Sequence, residues 1–132
     1  MEKELVKYAI EAAKNSYSPY SNFRVGAALL TESNKLYLGC NIENGAYGPS
    51  NCAERTAFFK AISDGEKRFK AIAIVGGKDG NFTDECFPCG VCRQVMAEFC
   101  DKDFKIILGN KNLEYKVYTF GELLPHSFEL GE

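Results

Sequence analysis

The sequence predicts an α/β sandwich around a mixed β-sheet. Segments with helical periodicity alternate with short apolar segments typical of strands, in the order α-β-β-α-β-α-β-β. The chain has 132 residues, of which 45% are hydrophobic and only 4 are proline, so it can bury a core of its own. Because this length fits one compact unit, we expect residues 1–132 to form a single domain.

The first half of the chain contains two predicted helices and two predicted strands. The opening helix has two adjacent apolar stripes at helical spacing, formed by Leu5, Ala9 and Ala12 and by Val6, Ile10 and Ala13. Residues 16–22 include a proline and predict a turn. Residues 23–30 and 35–42 predict strands joined by a hairpin turn at 32–34, and the first is apolar enough to be covered on both faces. Alanines at four-residue steps predict a second helix over 52–62.

The second half predicts three strands and one helix. In order, these are a strand at 71–75, a loop at 76–84, a helix at 90–99, strands at 106–108 and 115–118, and a short turn at 120–124. The loop contains Gly76 and Gly77, but no Gly-Lys-Ser/Thr follows at phosphate-loop spacing. We therefore expect these two glycines to belong to an ordinary loop.

Charge and hydropathy count against several classes of partner. The net charge is −2 and the pI is near 5.5, whereas polynucleotide binding usually needs a basic surplus. No apolar run approaches the roughly 20 residues that cross a bilayer. The first seven residues mix both signs of charge, unlike a signal peptide. We expect a cytoplasmic protein without nucleic-acid or membrane partners, in which the 6 cysteines remain thiols.

Three of the cysteines have the spacing of a metal site. Cys89 and Cys92 are three residues apart at a helix start, so that both sulfurs can share one ion. Cys52 stands at the start of the other predicted helix. The exposed amides of a helix N-terminus favour negative charge and help to keep such thiols ionised. These three residues predict a Zn²⁺ site.

Glu54 gives this predicted site a catalytic character. It follows Cys52 by two residues and can lie over the metal without binding it. Catalytic zinc usually has three protein ligands, and a carboxylate beside the open position can accept a proton from water and pass it on. Arg55 follows Cys52 by three residues and Arg93 directly follows Cys92, and both could donate hydrogen bonds that offset the charge of three thiolates.

Two other interpretations of the cysteines remain open at this point. Cys86 could be a fourth ligand, which would close the metal and make a structural zinc module that takes part in interactions. The C-x-x-C pair could instead be a redox pair that binds no metal. The position of Glu54 favours the open, catalytic arrangement.

The zinc motifs, together with the segments around them, resemble the zinc-dependent cytidine deaminase family in its short, homotetrameric form. The likeness extends over nearly the whole chain; it rests on 17–21 with Phe23, on 25–29, on 39–44, and on the two cysteine motifs at 52–55 and 88–94. The resemblance implies a three-layer α/β/α sandwich around a five-stranded mixed sheet. It also implies one zinc per subunit and active sites near the subunit interfaces.

The resemblance assigns roles to individual residues. It implies that Cys52, Cys89 and Cys92 bind zinc, that Glu54 moves protons, and that backbone groups at Ala53 and Cys89 orient the amine that leaves. It further implies that Asn41 and Glu43 hold the ribose, that Phe23 packs near the base, and that Phe128 reaches a neighbouring subunit's pocket. The pair Asn41 and Glu43 also has independent support, because residues two apart on a strand face the same way.

The implied reaction is hydrolytic deamination of cytidine and 2′-deoxycytidine, with release of ammonia. A deaminase of the nucleoside antibiotic blasticidin S shares the zinc motifs but lacks the Asn-x-Glu pair found here. Two residues depart from the family pattern: Phe87 stands where a small residue is common, and Cys86 is additional. His126, the single histidine, is expected to be an exposed polar group.

Overall fold

The computed structural model describes residues 1–130, and it confirms the α/β class. The helices are α1 (Glu2–Ala13), α2 (Ala53–Ser63), α3 (Gly90–Phe99) and α4 (Phe120–Leu123). The strands are β1 (Phe23–Thr31), β2 (Leu36–Cys40), β3 (Phe69–Lys78), β4 (Lys105–Gly109) and β5 (Tyr115–Thr119). No helix within residues 1–130 has the length and apolar character that crossing a membrane requires.

The five strands form one mixed sheet in the order β2-β1-β3-β4-β5. β1 pairs antiparallel with both β2 and β3, β3 pairs parallel with β4, and β4 pairs antiparallel with β5. The parallel pair is connected through α3, as parallel strands require a crossover. This order places the starts of α2 and α3 on the same side of the sheet.

Side-chain alternation along the central strands separates two cores. One core packs α1 against the first face of the sheet and includes Val6, Ala9, Ala28, Ala73 and Val75. The other packs α2 and α3 against the opposite face and includes Ala57, Phe58, Leu29, Ile74 and Met96. Since strand side chains alternate between faces, these two sets confirm a three-layer α/β/α sandwich.

One sequence expectation needs correction. Residues 76–78 belong to β3 rather than to a loop, so Gly76 and Gly77 are strand residues. A Cβ at Gly76 would lie 2.5 Å from the Cys86 sulfur, which means that glycine is needed for this close contact.

Gly39 sets the distance between β2 and the start of α2. A Cβ at this position would lie 2.4 Å from the carbonyl oxygen of Ala53 and 2.6 Å from the amide nitrogen of Ala57. Both neighbours are backbone atoms of α2, so the first turn of the helix rests directly on the strand. Residues 52–54 are positioned by this contact.

We expect Gly39→Ala to destabilise the protein by about 1–3 kcal/mol, because overpacking forces the helix away from the strand. Chemical denaturation measures the loss. Gly48→Ala is the matched control, since a Cβ there would have no atom within 4 Å. Equal stability of the two variants would contradict this account of how α2 is positioned.

Candidate functional site

Three cysteine side chains meet where α2 and α3 begin. Cys52 is the N-cap residue of α2, Cys89 is the N-cap residue of α3, and Cys92 lies in the first turn of α3. Their sulfur atoms all lie within 4.8 Å of one another. The Cys89 sulfur also accepts a hydrogen bond from the Cys92 amide at 3.5 Å. Two helix N-termini therefore direct their positive ends towards one cluster of sulfurs.

The cluster fits a zinc ion. Cys52 Sγ and Cys89 Sγ are 3.8 Å apart, and all six cysteines are free thiols. Tetrahedral zinc with Zn–S bonds of about 2.3 Å separates its sulfur ligands by about 3.8 Å, so the observed spacing suits the metal. Among residues 1–130, Cys86 is not part of this cluster, which leaves three sulfur ligands rather than four.

Hydrogen bonds and burial shift the pKa values of Cys52 and Cys92 in opposite directions. The hydrogen bond from Cys92 lowers the pKa of Cys52 to about 5, and a further hydrogen bond from Arg55 acts in the same direction. The same contact with Cys52, together with burial, raises the pKa of Cys92. Cys92 thus keeps a proton that binding of a metal ion would displace.

Arg55 supports the cluster and Arg93 does not contact it in the expected way. Arg55 Nη2 donates to Cys52 Sγ at 3.2 Å, while Arg55 Nε is buried without a partner among the described residues. Arg93 Nε donates to the carbonyl of Pro88 at 2.8 Å, and its Nη1 donates to the carbonyl of Leu123 at 2.6 Å. Arg93 therefore joins the loop at 84–89, which precedes α3, to the C-terminal segment. It does so through hydrogen bonds to backbone carbonyls rather than to sulfur.

Glu54 lies in the first turn of α2, directly after the N-cap cysteine, and is 4% exposed. Burial raises the pKa of its carboxyl group to about 7, and the charge of Cys52 contributes in the same direction. A carboxyl group with a pKa near neutrality can both accept and release a proton. Its surroundings are therefore those of an acid–base group.

Glu54 and the sulfur cluster open into a cavity of about 270 Å³. Asn41 and Glu43 line the cavity at the end of β2, and Ala53, Cys52 and Cys89 line it at the helix starts. The sequence-predicted polar pair, the carboxylate and two of the sulfurs thus share one concave space. Cavities of this kind bind small molecules.

Two aromatic residues that the resemblance assigns to substrate binding lie outside the lining of this cavity. Phe23 is 37% exposed, and its carbonyl accepts a hydrogen bond from Asn41 Nδ2 at 2.8 Å. Phe128 is 66% exposed, and its carbonyl accepts from Gln94 Nε2 at 3.3 Å. Neither ring lines the cavity that residues 1–130 of one chain enclose.

Sequence reasoning missed the contacts between β5 and the loop at 84–89. The ring of Phe87 packs on Tyr118 with centroids 5.3 Å apart, and the Tyr118 hydroxyl donates to Glu85 at 2.7 Å. Phe87 and Cys86 both line the cavity. An unusual aromatic residue before Pro88 was the available signal, but its partner lies on another strand.

Comparison with known proteins places these motifs in a wider context. Residues 1–108 match the family described as the cytidine and deoxycytidylate deaminase zinc-binding region. The cytidine deaminase of Sporosarcina psychrophila is 48% identical over 126 residues, covering 96% of this chain and 90% of the relative. The cytidine deaminase of Halalkalibacterium halodurans is 49% identical over 124 residues, covering 94% of this chain and 91% of the relative.

A solved structure shares the fold as well as the sequence. The crystal structure of cytidine deaminase from Burkholderia pseudomallei superposes with a TM-score of 0.88 at 43% identity. The alignment covers 97% of this chain and 99% of the solved chain. The similarity therefore extends over the sheet and the helices of nearly the whole chain.

Proposed function

This chain belongs to the zinc-binding cytidine and deoxycytidylate deaminase family, and we propose that it hydrolyses cytidine and 2′-deoxycytidine to uridine and 2′-deoxyuridine with release of ammonia. The observation that carries this proposal is that the three-sulfur cluster and the buried Glu54 carboxyl meet at one cavity, which Cys52, Cys89 and Glu54 line. In this proposal residues 1–132 act as one catalytic domain.

The proposed metal ligands are Cys52, Cys89 and Cys92. When bound, Zn²⁺ supplies Lewis acidity that makes water nucleophilic near neutral pH. Arg55 stabilises the negative charge of the sulfurs through its hydrogen bond to Cys52. The absence of Cys86 from the sulfur cluster, within the described residues, favours an open site over a closed structural module.

Glu54 is the proposed proton carrier. Its carboxylate accepts a proton from water and delivers it to ring N3, while the water oxygen forms a bond to C4. The remaining hydroxyl proton then passes through the same carboxyl group to the exocyclic nitrogen. The C4–N bond breaks, ammonia leaves, and the oxygen stays on C4 as a carbonyl. One buried carboxyl group thus serves both proton transfers.

The substrate-binding groups favour a nucleoside. Asn41 and Glu43 both line the cavity, and an amide beside a carboxylate suits sugar hydroxyls. Ala53 lies beside Glu54 at the helix start, where its backbone can orient the amine. This pair of polar residues distinguishes the proposal from a blasticidin S deaminase, which lacks it.

We expect the protein to lower the ultraviolet absorbance of cytidine and of 2′-deoxycytidine, and to leave cytidine monophosphate unchanged. The net charge of −2 offers no surplus of cations for a phosphate. Preferential turnover of the monophosphate would refute the choice of a nucleoside. Turnover of blasticidin S without turnover of cytidine would support the alternative substrate.

We further propose a cytoplasmic homotetramer that acts in pyrimidine salvage, with active sites near subunit interfaces. The exposed aromatic residues support association, since Phe59 is 48% exposed and Phe128 is 66% exposed. Phe128 follows Leu123, whose carbonyl accepts a hydrogen bond from Arg93, and its ring does not line the cavity of its own chain. A neighbouring subunit is the proposed acceptor of its ring.

Light scattering on the purified protein tests this assembly. We expect a molar mass four times that of the 14.7 kDa chain. Phe128→Ala should raise KM for cytidine, because the proposed neighbouring pocket loses its aromatic wall. A monomer with full activity would contradict the proposed tetramer and the role of Phe128.

A further inference from the structure

The segment 16–21 runs beside the proposed sugar-binding pair. The Tyr17 amide donates to the Asn41 carbonyl at 3.0 Å, and the Glu43 amide donates to the Tyr17 carbonyl at 2.8 Å. Tyr17 and Ile42 consequently form a parallel β-bridge. This pairing brings side chains from a turn 25 residues earlier in the chain against Asn41 and Glu43.

Three hydrogen bonds fix the side-chain amide of Asn41. Its Oδ1 accepts from the Val25 amide at 2.9 Å and from the Ser16 hydroxyl at 2.5 Å. Its Nδ2 donates to the Phe23 carbonyl at 2.8 Å. An amide side chain has two lone pairs and two N–H groups, so both lone pairs and one N–H are occupied. Asn41 can offer the cavity one donor and no acceptor.

Glu43 has the opposite character. Its Oε1 accepts from the amides of Tyr20 and Ser21, at 2.9 and 3.1 Å, and its Oε2 accepts from the Ser21 hydroxyl. The hydroxyl of Ser21 also lowers the pKa of the Glu43 carboxyl, which keeps it an acceptor. The two side chains therefore present one donor and one acceptor to the same cavity. A sugar hydroxyl, which accepts and donates at once, satisfies both.

We propose that Ser16 is a positioning residue that determines sugar specificity, by occupying the second lone pair of Asn41 Oδ1 and committing Asn41 to act as a donor. This inference rests on the proposed function. Without the Ser16 hydroxyl, one lone pair of Asn41 Oδ1 is free to accept, and two hydrogen bonds rather than three hold the amide in place. The discrimination in favour of a hydroxylated sugar then weakens.

The experiment compares cytidine with 2′,3′-dideoxycytidine, which lacks both secondary sugar hydroxyls, in the zinc-loaded protein. For Ser16→Ala we expect kcat/KM with cytidine to fall about fivefold, because a net hydrogen bond contributes about that much. The loss should appear in KM, with kcat retained. With dideoxycytidine, kcat/KM should stay within about twofold of the unmodified protein.

Two variants make the result specific. Ser16→Thr keeps a hydroxyl and should restore the preference for cytidine. Ser33→Ala removes a hydroxyl from the opposite end of the β1–β2 hairpin, where it contacts Thr31 and Glu66, and should leave both substrates unaffected.

Two results would overturn the role of Ser16. The first is an equal loss on both substrates, or a loss in kcat, in Ser16→Ala, because either would indicate a merely structural effect. The second is unchanged kinetics on both substrates. If the unmodified protein deaminates neither nucleoside, the proposed function itself fails, and that outcome is separate from any difference among variants.

Discussion

Glu54→Gln is expected to reduce kcat for cytidine by at least about a thousandfold while the protein keeps its zinc and its fold. General acid–base groups contribute about 10²–10⁴-fold each, and here one carboxyl group is proposed to carry both proton transfers. Glutamine has nearly the same shape as glutamate but cannot accept a proton. It also avoids burying a charge at a position that is 4% exposed, so we expect no loss of stability.

Steady-state kinetics, zinc content and thermal unfolding, measured on one preparation, separate these effects. Glu98→Gln is the matched control, since Glu98 is an exposed residue of α3 and should leave kcat unchanged. If Glu54→Gln kept most of its activity, Glu54 could not be the proton carrier. Loss of zinc together with activity would instead assign Glu54 a role in holding the cluster.

The chemistry of the site could be predicted from sequence because its signals are local. Cys89 and Cys92 lie three apart, and Glu54 follows Cys52 by two residues at a helix start. A helix start places residues three apart on one face wherever the helix packs, and Glu54 stays close to Cys52 because it lies in the first turn after that residue. The sheet then holds both helix starts together, which brings the three cysteine sulfurs within 4.8 Å of one another.

The supporting contacts could not be predicted because they depend on packing between distant segments. Arg93 looked like a donor to sulfur from its place beside Cys92, but the C-terminal segment returns close enough to present the Leu123 carbonyl. Ser16 meets Asn41 only because the turn after α1 pairs with the end of β2. Nothing in the local pattern of either residue indicates its partner.

The glycines of β3 show the same limit. A pair of glycines usually weakens a strand, so Gly76 and Gly77 predicted a loop. The strand extends through them because it is hydrogen-bonded to β1 up to the pair formed by Phe23 and Lys78. The missing side chain of Gly76 makes room for the Cys86 sulfur, and that of Gly77 makes room for the Asn81 carbonyl oxygen. Close approach of another segment, rather than conformational freedom, explains both glycines.

Removal of zinc is expected to abolish activity, and its return to restore it. The three sulfurs lie at the N-termini of two helices that no covalent bond joins at this point, so the ion supplies their common anchor. In its absence hydrogen bonds from Cys92 and from Arg55 lower the pKa of Cys52, whereas the contact with Cys52 and burial raise the pKa of Cys92, which keeps its proton. Binding of the metal should therefore release protons, which calorimetry in buffers of different ionisation enthalpy measures.

Cysteine variants distinguish an open site from a closed one. Cys89→Ser should lose most of its zinc, because only two sulfurs remain. Cys86→Ser should keep one zinc per chain and substantial activity, because Cys86 lies outside the cluster and packs against Gly76. Burial raises the pKa of the Cys86 thiol to about 12, so it is a poor thiolate ligand at neutral pH.

Metal analysis of Cys86→Ser has two informative results. Retained zinc would exclude the four-cysteine structural module, since that module protects four sulfurs and needs Cys86 as its last ligand. Zinc lost equally from Cys86→Ser and Cys89→Ser would require Cys86 to move to the metal and close the position that the reaction needs. The proposed hydrolysis depends on that position, because only a site with three protein ligands leaves room beside Glu54 for water.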